Sequence, residues 1–93
     1  MGKKQKPTEN LYESFKRFFT KLSKQELVDK FNNEVGNRGW TSARSIYLHE
    51  LREAMIDSGI DCSKVINKSG GFNLDKNVKL LGNRLAYVNL RTN

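Results

Sequence analysis

Cysteine, histidine and proline are nearly missing from this sequence of 93 residues, which has one of each. A single cysteine, Cys62, excludes an internal disulfide, and Cys62 with His49 cannot supply the four protein ligands of a structural zinc site. Any Cys–His nucleophilic pair would consist of these two residues. In the helix that we predict for residues 41–58, however, His49 faces away from the apolar stripe, and Cys62 lies beyond the end of that helix. We therefore predict no catalytic residues, no metal site and no cofactor, in a protein that is not an enzyme.

Long hydrophobic runs are also absent. No apolar segment approaches the roughly 18 residues of a membrane span, and the basic start MGKKQK is not followed by the apolar region of a signal peptide. Together with the single cysteine, this favours a cytoplasmic protein without a membrane partner. The hydrophobic content of 37% favours a folded chain. We expect a mobile basic tail over residues 1–7 and one domain over residues 8–90.

The net charge of +7 is concentrated at the two ends of the chain. Residues 1–22 hold six basic and two acidic side chains, residues 23–60 hold five and six, and residues 61–93 hold six and two. A basic surface often meets an acidic partner, and nucleic acid is the commonest such partner. Basic charge that serves solubility alone explains the same excess equally well.

Residues 41–58 have the clearest helical periodicity in the chain. Thr41 can cap the first turn, and Gly59 is placed to end the helix in the left-handed conformation that glycine adopts readily. The apolar stripe that predicts the buried face contains Tyr47, Leu48, Leu51, Ala54 and Met55. The opposite face, which we expect to be exposed, contains Ser42, Ser45, Ile46, His49 and Glu53, with Arg52 at its border.

Two further helices are predicted before residue 41. Apolar residues from Leu11 to Leu22 recur at helical spacing. Ser23 and Glu26 then form the S-x-x-E capping box that starts a new helix, and Gly36 can end it. The second of these helices is joined to the 41–58 helix by a short turn that contains glycine. This arrangement fits a helix-turn-helix and an ordinary helical hairpin equally well.

The C-terminal part contains the signal for a β-hairpin. Gly82 and Asn83 separate two short apolar runs, which predicts a two-residue turn of type II′. The register implied by that turn sets Leu80 opposite Leu85. It places on one face Val78, Leu80, Leu85 and Tyr87, and on the other face Lys79 and Arg84. The alternative is a helix over residues 74–81 within a mainly α-helical domain.

Three helices followed by a hairpin define an α+β domain with the element order of a winged helix. In that architecture the 41–58 helix enters the major groove of duplex DNA and the 78–90 hairpin contacts the backbone. The expected nucleic-acid-binding residues are Arg38, Ser42, Ser45, His49, Arg52, Lys79 and Arg84. A function inferred from the class of fold is an analogy.

Two other functions fit the same pattern. The domain could instead be a protein-interaction or adaptor module, and an exposed Ile46 beside His49 would suit a protein contact. RNA binding is supported by the basic ends of the chain but by no RNA-binding motif. We interpret Glu50, Glu53 and Asp57 as a solvated face of the 41–58 helix, although their charges would repel phosphate.

Overall fold

The computed structural model describes residues 7–37, 39 and 41–88. Its elements are α1 (Pro7–Thr20), α2 (Lys24–Glu34), α3 (Ser42–Asp57), a 3₁₀ turn (Ser63–Val65), β1 (Val78–Leu81) and β2 (Arg84–Tyr87). Three helices followed by an antiparallel hairpin confirm the predicted α+β arrangement, and the alternative helix over residues 74–81 is wrong. Within the described ranges, no helix is long and apolar enough to cross a membrane.

The first helix begins slightly earlier than the sequence predicts. We expected the domain to start at residue 8, but α1 already includes Pro7. Proline suits the first turn of a helix, because the backbone N–H that it lacks would have no intrahelical partner there. The other six residues of the predicted tail, residues 1–6, lie outside the described part of the chain.

The joint between α1 and α2 is the predicted capping box. The Glu26 amide donates to Ser23 Oγ at 3.1 Å, and the Ser23 amide donates to Glu26 Oε1 at 2.9 Å. These two bonds satisfy amides that the first turn of α2 leaves without helical partners. At its other end α2 stops at Glu34, and Gly36 follows with a φ of +82°.

The third helix begins and ends where its sequence predicts. Thr41 Oγ1 accepts a hydrogen bond of 3.0 Å from the backbone amide three residues later. At the C-terminal end Gly59 has a φ of +95°, and the Ile60 amide donates to the carbonyl oxygen of Met55 at 3.0 Å. This is the helix ending in which a left-handed glycine lets the chain turn back over the last carbonyl groups.

The buried face of α3 is wider than the predicted stripe. Leu48, Leu51 and Met55 are buried as expected, but Ile46, which we placed on the exposed face, is only 7% exposed. The reason is that α1 packs along this side of α3. The ring of Tyr12 in α1 contacts the ring of His49, which lies one turn after Ile46, with ring centroids 6.1 Å apart. A single apolar stripe underestimates burial when a helix has neighbours on two sides.

The hairpin has the predicted register throughout. Its pairs are Val78–Tyr87, Lys79–Ala86, Leu80–Leu85 and Leu81–Arg84. Gly82 has a φ of +62°, and no residue type other than glycine has a positive φ in the described ranges. Asn83 therefore has a negative φ, as a type II′ turn requires.

Both edges of the hairpin are held by other parts of the chain. On the β2 edge, the Asp61 amide donates to Asn83 O at 2.6 Å and the Leu85 amide donates to Asp61 O at 3.3 Å. On the β1 edge, the side-chain amide of Asn32 in α2 both donates to and accepts from the backbone of Val78, each bond being 2.8 Å. The hairpin is therefore fixed to α2 and to the chain that leaves α3.

One hydrophobic core joins these elements. Its buried members are Phe19, Leu27, Val28, Phe31, Leu51, Met55, Ile60, Cys62, Val65, Val78 and Leu85. Between α3 and β1 the chain turns at the 3₁₀ element, where the Asp61 carboxylate accepts from the Ser63 amide at 3.0 Å. It then forms a loop over residues 67–74 that is closed by a single bridge between Ile66 and Phe72.

Candidate functional site

Three of the predicted site residues line one cleft, which we call the α3 cleft. Ser45, His49 and Arg52 project from α3 on one side, and the loop of residues 67–74 forms the other side. The cleft has a volume of about 480 Å³. The described residues that line it are Ser45, Leu48, His49, Arg52, Asn67, Ser69, Gly70, Gly71, Phe72 and Leu74.

The loop wall of the α3 cleft is held in place by its own hydrogen bonds. Asn67 Oδ1 accepts from the Ser69 amide, the Ser69 hydroxyl and the Gly71 amide at 3.0, 3.0 and 3.1 Å. Phe72 packs edge-on against Phe31 of α2, with ring centroids 5.0 Å apart. Nothing within the sequence of this stretch predicts that it folds against α3.

The α3 cleft has no acidic residue in its described lining, and Arg52 is the one residue there with a formal positive charge. His49 lines the cleft as well. Arg52 pairs with the Glu53 carboxylate at 2.9 Å, and His49 Nε2 lies 3.8 Å from the Glu50 carboxylate. Neither glutamate lines the α3 cleft, so these contacts orient the two side chains from outside it.

Acidic residues of α3 lie on the side that faces α1. Glu50, Glu53 and Asp57 line a second cleft of about 240 Å³ that also includes Lys16 of α1. The surface of α3 therefore has its carboxylates toward α1 and most of the lining of the α3 cleft toward the loop, while His49 lines both clefts. A polyanion that lay along the whole helix would come close to these carboxylates. They would repel it, because like charges repel.

The predicted hairpin residues form a separate surface. Lys79 and Arg84 are exposed on the outer face of the hairpin, and neither lines the α3 cleft. The hairpin turn lies near the start of α2, because Lys24 Nζ contacts Asn83 Oδ1 at 2.9 Å. Arg84 forms a β-bridge with Asp61, which follows α3. Hydrogen bonds from Ser63 to the Asp61 carboxylate lower the pKa of Asp61 below its ordinary value, and the charge of Arg84 lowers it further.

The two remaining predicted residues are Ser42 and Arg38. Ser42 is exposed at the first position of α3 but does not line the α3 cleft. Arg38 lies outside the described residues. Arg44 of α3 has a structural role: its Nε donates to Glu34 at 2.8 Å and its Nη1 to the carbonyl oxygen of Gly39 at 2.9 Å.

Sequence reasoning missed a basic cluster at the base of the hairpin. The Nζ atoms of Lys64 and Lys76 lie 5.8 and 5.5 Å from the ring centroid of Tyr87. The Tyr87 hydroxyl donates to the carbonyl oxygen of Lys64 at 3.2 Å. These three residues are far apart in the chain, so no local pattern could have predicted the cluster.

Neither metal-ligand chemistry nor similarity to known proteins identifies the site. Within the described ranges, no group of three or more histidine, cysteine, aspartate and glutamate side chains could hold a metal ion. Comparison of the chain with protein-family models, curated proteins and solved structures gave no match. A proposal about function therefore rests on the geometry and charge of the surfaces described above.

Proposed function

We propose that this domain binds nucleic acid, with duplex DNA as the first target to test, and that exposed basic residues after α3 hold the phosphates. These residues are Lys64, Lys68, Lys76, Lys79 and Arg84. Only two acidic residues, Asp61 and Asp75, accompany them in the described segment 61–88. Exposed lysine and arginine side chains can neutralise phosphates and release the counterions of the polyanion.

The observation that carries the proposal is how the ion pairs are distributed. The arginines of α3 both have carboxylate partners: Arg44 pairs with Glu34 and Arg52 with Glu53. In the described segment 61–88, by contrast, no basic side chain forms a salt bridge with a carboxylate. Charges that already form an ion pair with a carboxylate gain less from a phosphate than charges that do not. We therefore assign the main phosphate contacts to the hairpin and the segment before it, and not to α3.

The side chains in the α3 cleft supply the second part of the proposal. Ser45 and His49 have groups that can donate to or accept from bases, and base contacts determine sequence preference whereas phosphate contacts position the protein. Arg52, which forms an ion pair with Glu53, orients the bound chain at the edge of the cleft.

A salt titration tests the phosphate contacts. We expect the double variant Lys79→Ala/Arg84→Ala to bind every duplex more weakly and to flatten the slope of log affinity against log salt by nearly two units, at about 0.9 for each phosphate that is no longer neutralised. The matched control is Arg17→Ala/Lys21→Ala, which removes the same charge from exposed positions at the end of α1. An equal change in both double variants would mean that net charge, and not the hairpin, governs binding.

The competing proposal is a protein-interaction module. It relied on an exposed Ile46 beside His49, and it loses that support because Ile46 is buried. A wild-type protein that binds neither duplex DNA nor duplex RNA in low salt would contradict nucleic-acid binding. The exposed apolar side chains Tyr12, Phe18, Ile56 and Leu81, which are 42–44% exposed, would then be the surfaces to test for a protein partner.

A further inference from the structure

We infer that the α3 cleft holds one unpaired nucleotide, with its base between α3 and the loop of residues 67–74. The inference rests on the proposed function, because the rest of the nucleic acid that carries this nucleotide would be held by the basic residues of segment 61–88. It names the class of nucleic acid that the site takes: a strand with an unpaired base, such as an overhang, in place of a fully paired duplex.

The shape of the site is the first argument. A helix that reads paired bases must protrude, since it enters a major groove about 12 Å wide. Ser45, His49 and Arg52 instead lie inside a concavity whose far wall is the loop. An unpaired base can turn into the cleft, whose volume of about 480 Å³ lies within the range of small-molecule sites.

The chemistry of the lining is the second argument. Leu48, Phe72 and Leu74 give the cleft an apolar wall, against which the flat face of a base can pack whatever its identity. The Ser45 hydroxyl and the Asn67 side-chain amide provide polar atoms for a base edge. Because Asn67 Oδ1 already accepts the hydrogen bonds of the loop, its Nδ2 group is the part of this side chain that has protons to donate.

Charge complementarity is the third argument. The described lining contains the positive charge of Arg52 and no carboxylate. The guanidinium of Arg52 has five N–H donors, and its ion pair with Glu53 occupies only part of them. A nucleotide matches this arrangement, because it joins a flat apolar surface to one negative phosphate.

The test compares two probes at constant salt: a short mixed-sequence duplex, and the same duplex with an unpaired thymidine tail. We expect the wild-type protein to bind the tailed probe about tenfold more tightly, which is the effect of stacking one base on a protein surface. The backbone amide signals of residues 67–72 should shift with the tailed probe and stay in place with the paired probe.

A pair of charge variants locates the effect. Ser45→Glu places a carboxylate in the α3 cleft, and Ser42→Glu adds the same charge one turn earlier on the same helix, outside it. Glutamate is a good helix former, so both variants should fold. We expect Ser45→Glu to abolish the preference for the tailed probe and Ser42→Glu to retain it.

The possible failures can be told apart. Equal affinity of the wild type for the two probes would overturn the unpaired nucleotide and leave the phosphate contacts intact. Loss of the preference in both glutamate variants would overturn the α3 cleft as its location. The absence of binding to either probe in low salt would overturn the proposed function itself.

Discussion

Cys62 shows how the fold changes the chemistry of a single side chain. Cys62 is only 4% exposed. Burial, together with the smaller effect of the Asp61 charge, raises the pKa of its thiol to about 11. The thiolate is the reactive form of cysteine. We therefore expect Cys62 to resist a disulfide-exchange reagent in mildly alkaline buffer while the protein is folded, and to react completely in guanidinium. Rapid reaction of the native protein would contradict its burial.

The same pKa predicts how stability depends on pH. Because folding favours the protonated thiol, the contribution of Cys62 is fully present below its ordinary pKa of 9.0 and is lost as the pH rises through about 11. The full loss is on the order of 2 kcal/mol. Thermal unfolding measured across this range should show a smaller alkaline decline for Cys62→Ala than for the wild type. Tyr47, whose pKa is raised mainly by burial, acts in the same direction in both proteins.

At the scale of elements, the contact between α2 and β1 depends on one amide. Asn32 donates to and accepts from the Val78 backbone, with both bonds 2.8 Å long. Asn32→Ala leaves these half-buried backbone groups without their partner, so we expect a loss of about 1–3 kcal/mol in the free energy of unfolding. Chemical denaturation measures this loss.

Asn33→Ala is the matched control for Asn32→Ala. Asn33 is the next residue of α2 and is exposed, and both substitutions raise helix propensity by the same amount. The difference in unfolding free energy between the two variants therefore isolates the bonds to Val78. Equal stability of the two would mean that the hairpin does not depend on Asn32.

At the scale of the whole molecule, the α3 cleft and the hairpin should have separable effects on binding. The hairpin turn lies near Asp61, after the C-terminal end of α3, whereas Ser45 lies in the first turns of a helix of 16 residues. At about 1.5 Å per residue, most of the length of α3 separates Ser45 from the hairpin turn.

Ser45→Ala and His49→Ala should therefore change which bases are preferred, while Lys79→Ala/Arg84→Ala weakens binding to all sequences alike. Selection of bound oligonucleotides from a random pool, made for the wild type and each variant at the same salt, measures both effects. Unchanged preferences in Ser45→Ala and His49→Ala would remove α3 from base recognition.

The sequence alone determined the features that depend on neighbours within a few residues. The capping box at Ser23, the ends of α3 at Thr41 and Gly59, and the Gly82 turn each follow from short-range hydrogen bonds and backbone preferences. Because a two-residue turn fixes the register of its strands, the whole hairpin could be predicted as well. Helical periodicity likewise placed Ser45 and His49 on one exposed face of α3, with Arg52 at its border.

Only the tertiary structure decided which distant surfaces meet. The burial of Ile46 depends on where α1 packs, and the α3 cleft depends on the loop of residues 67–74 folding against α3. The lysines around Tyr87 come from segments that the hairpin and the 3₁₀ turn bring together. Such contacts arise from the packing of one shared core, whose free energy is spread over many residues, so no local pattern encodes them.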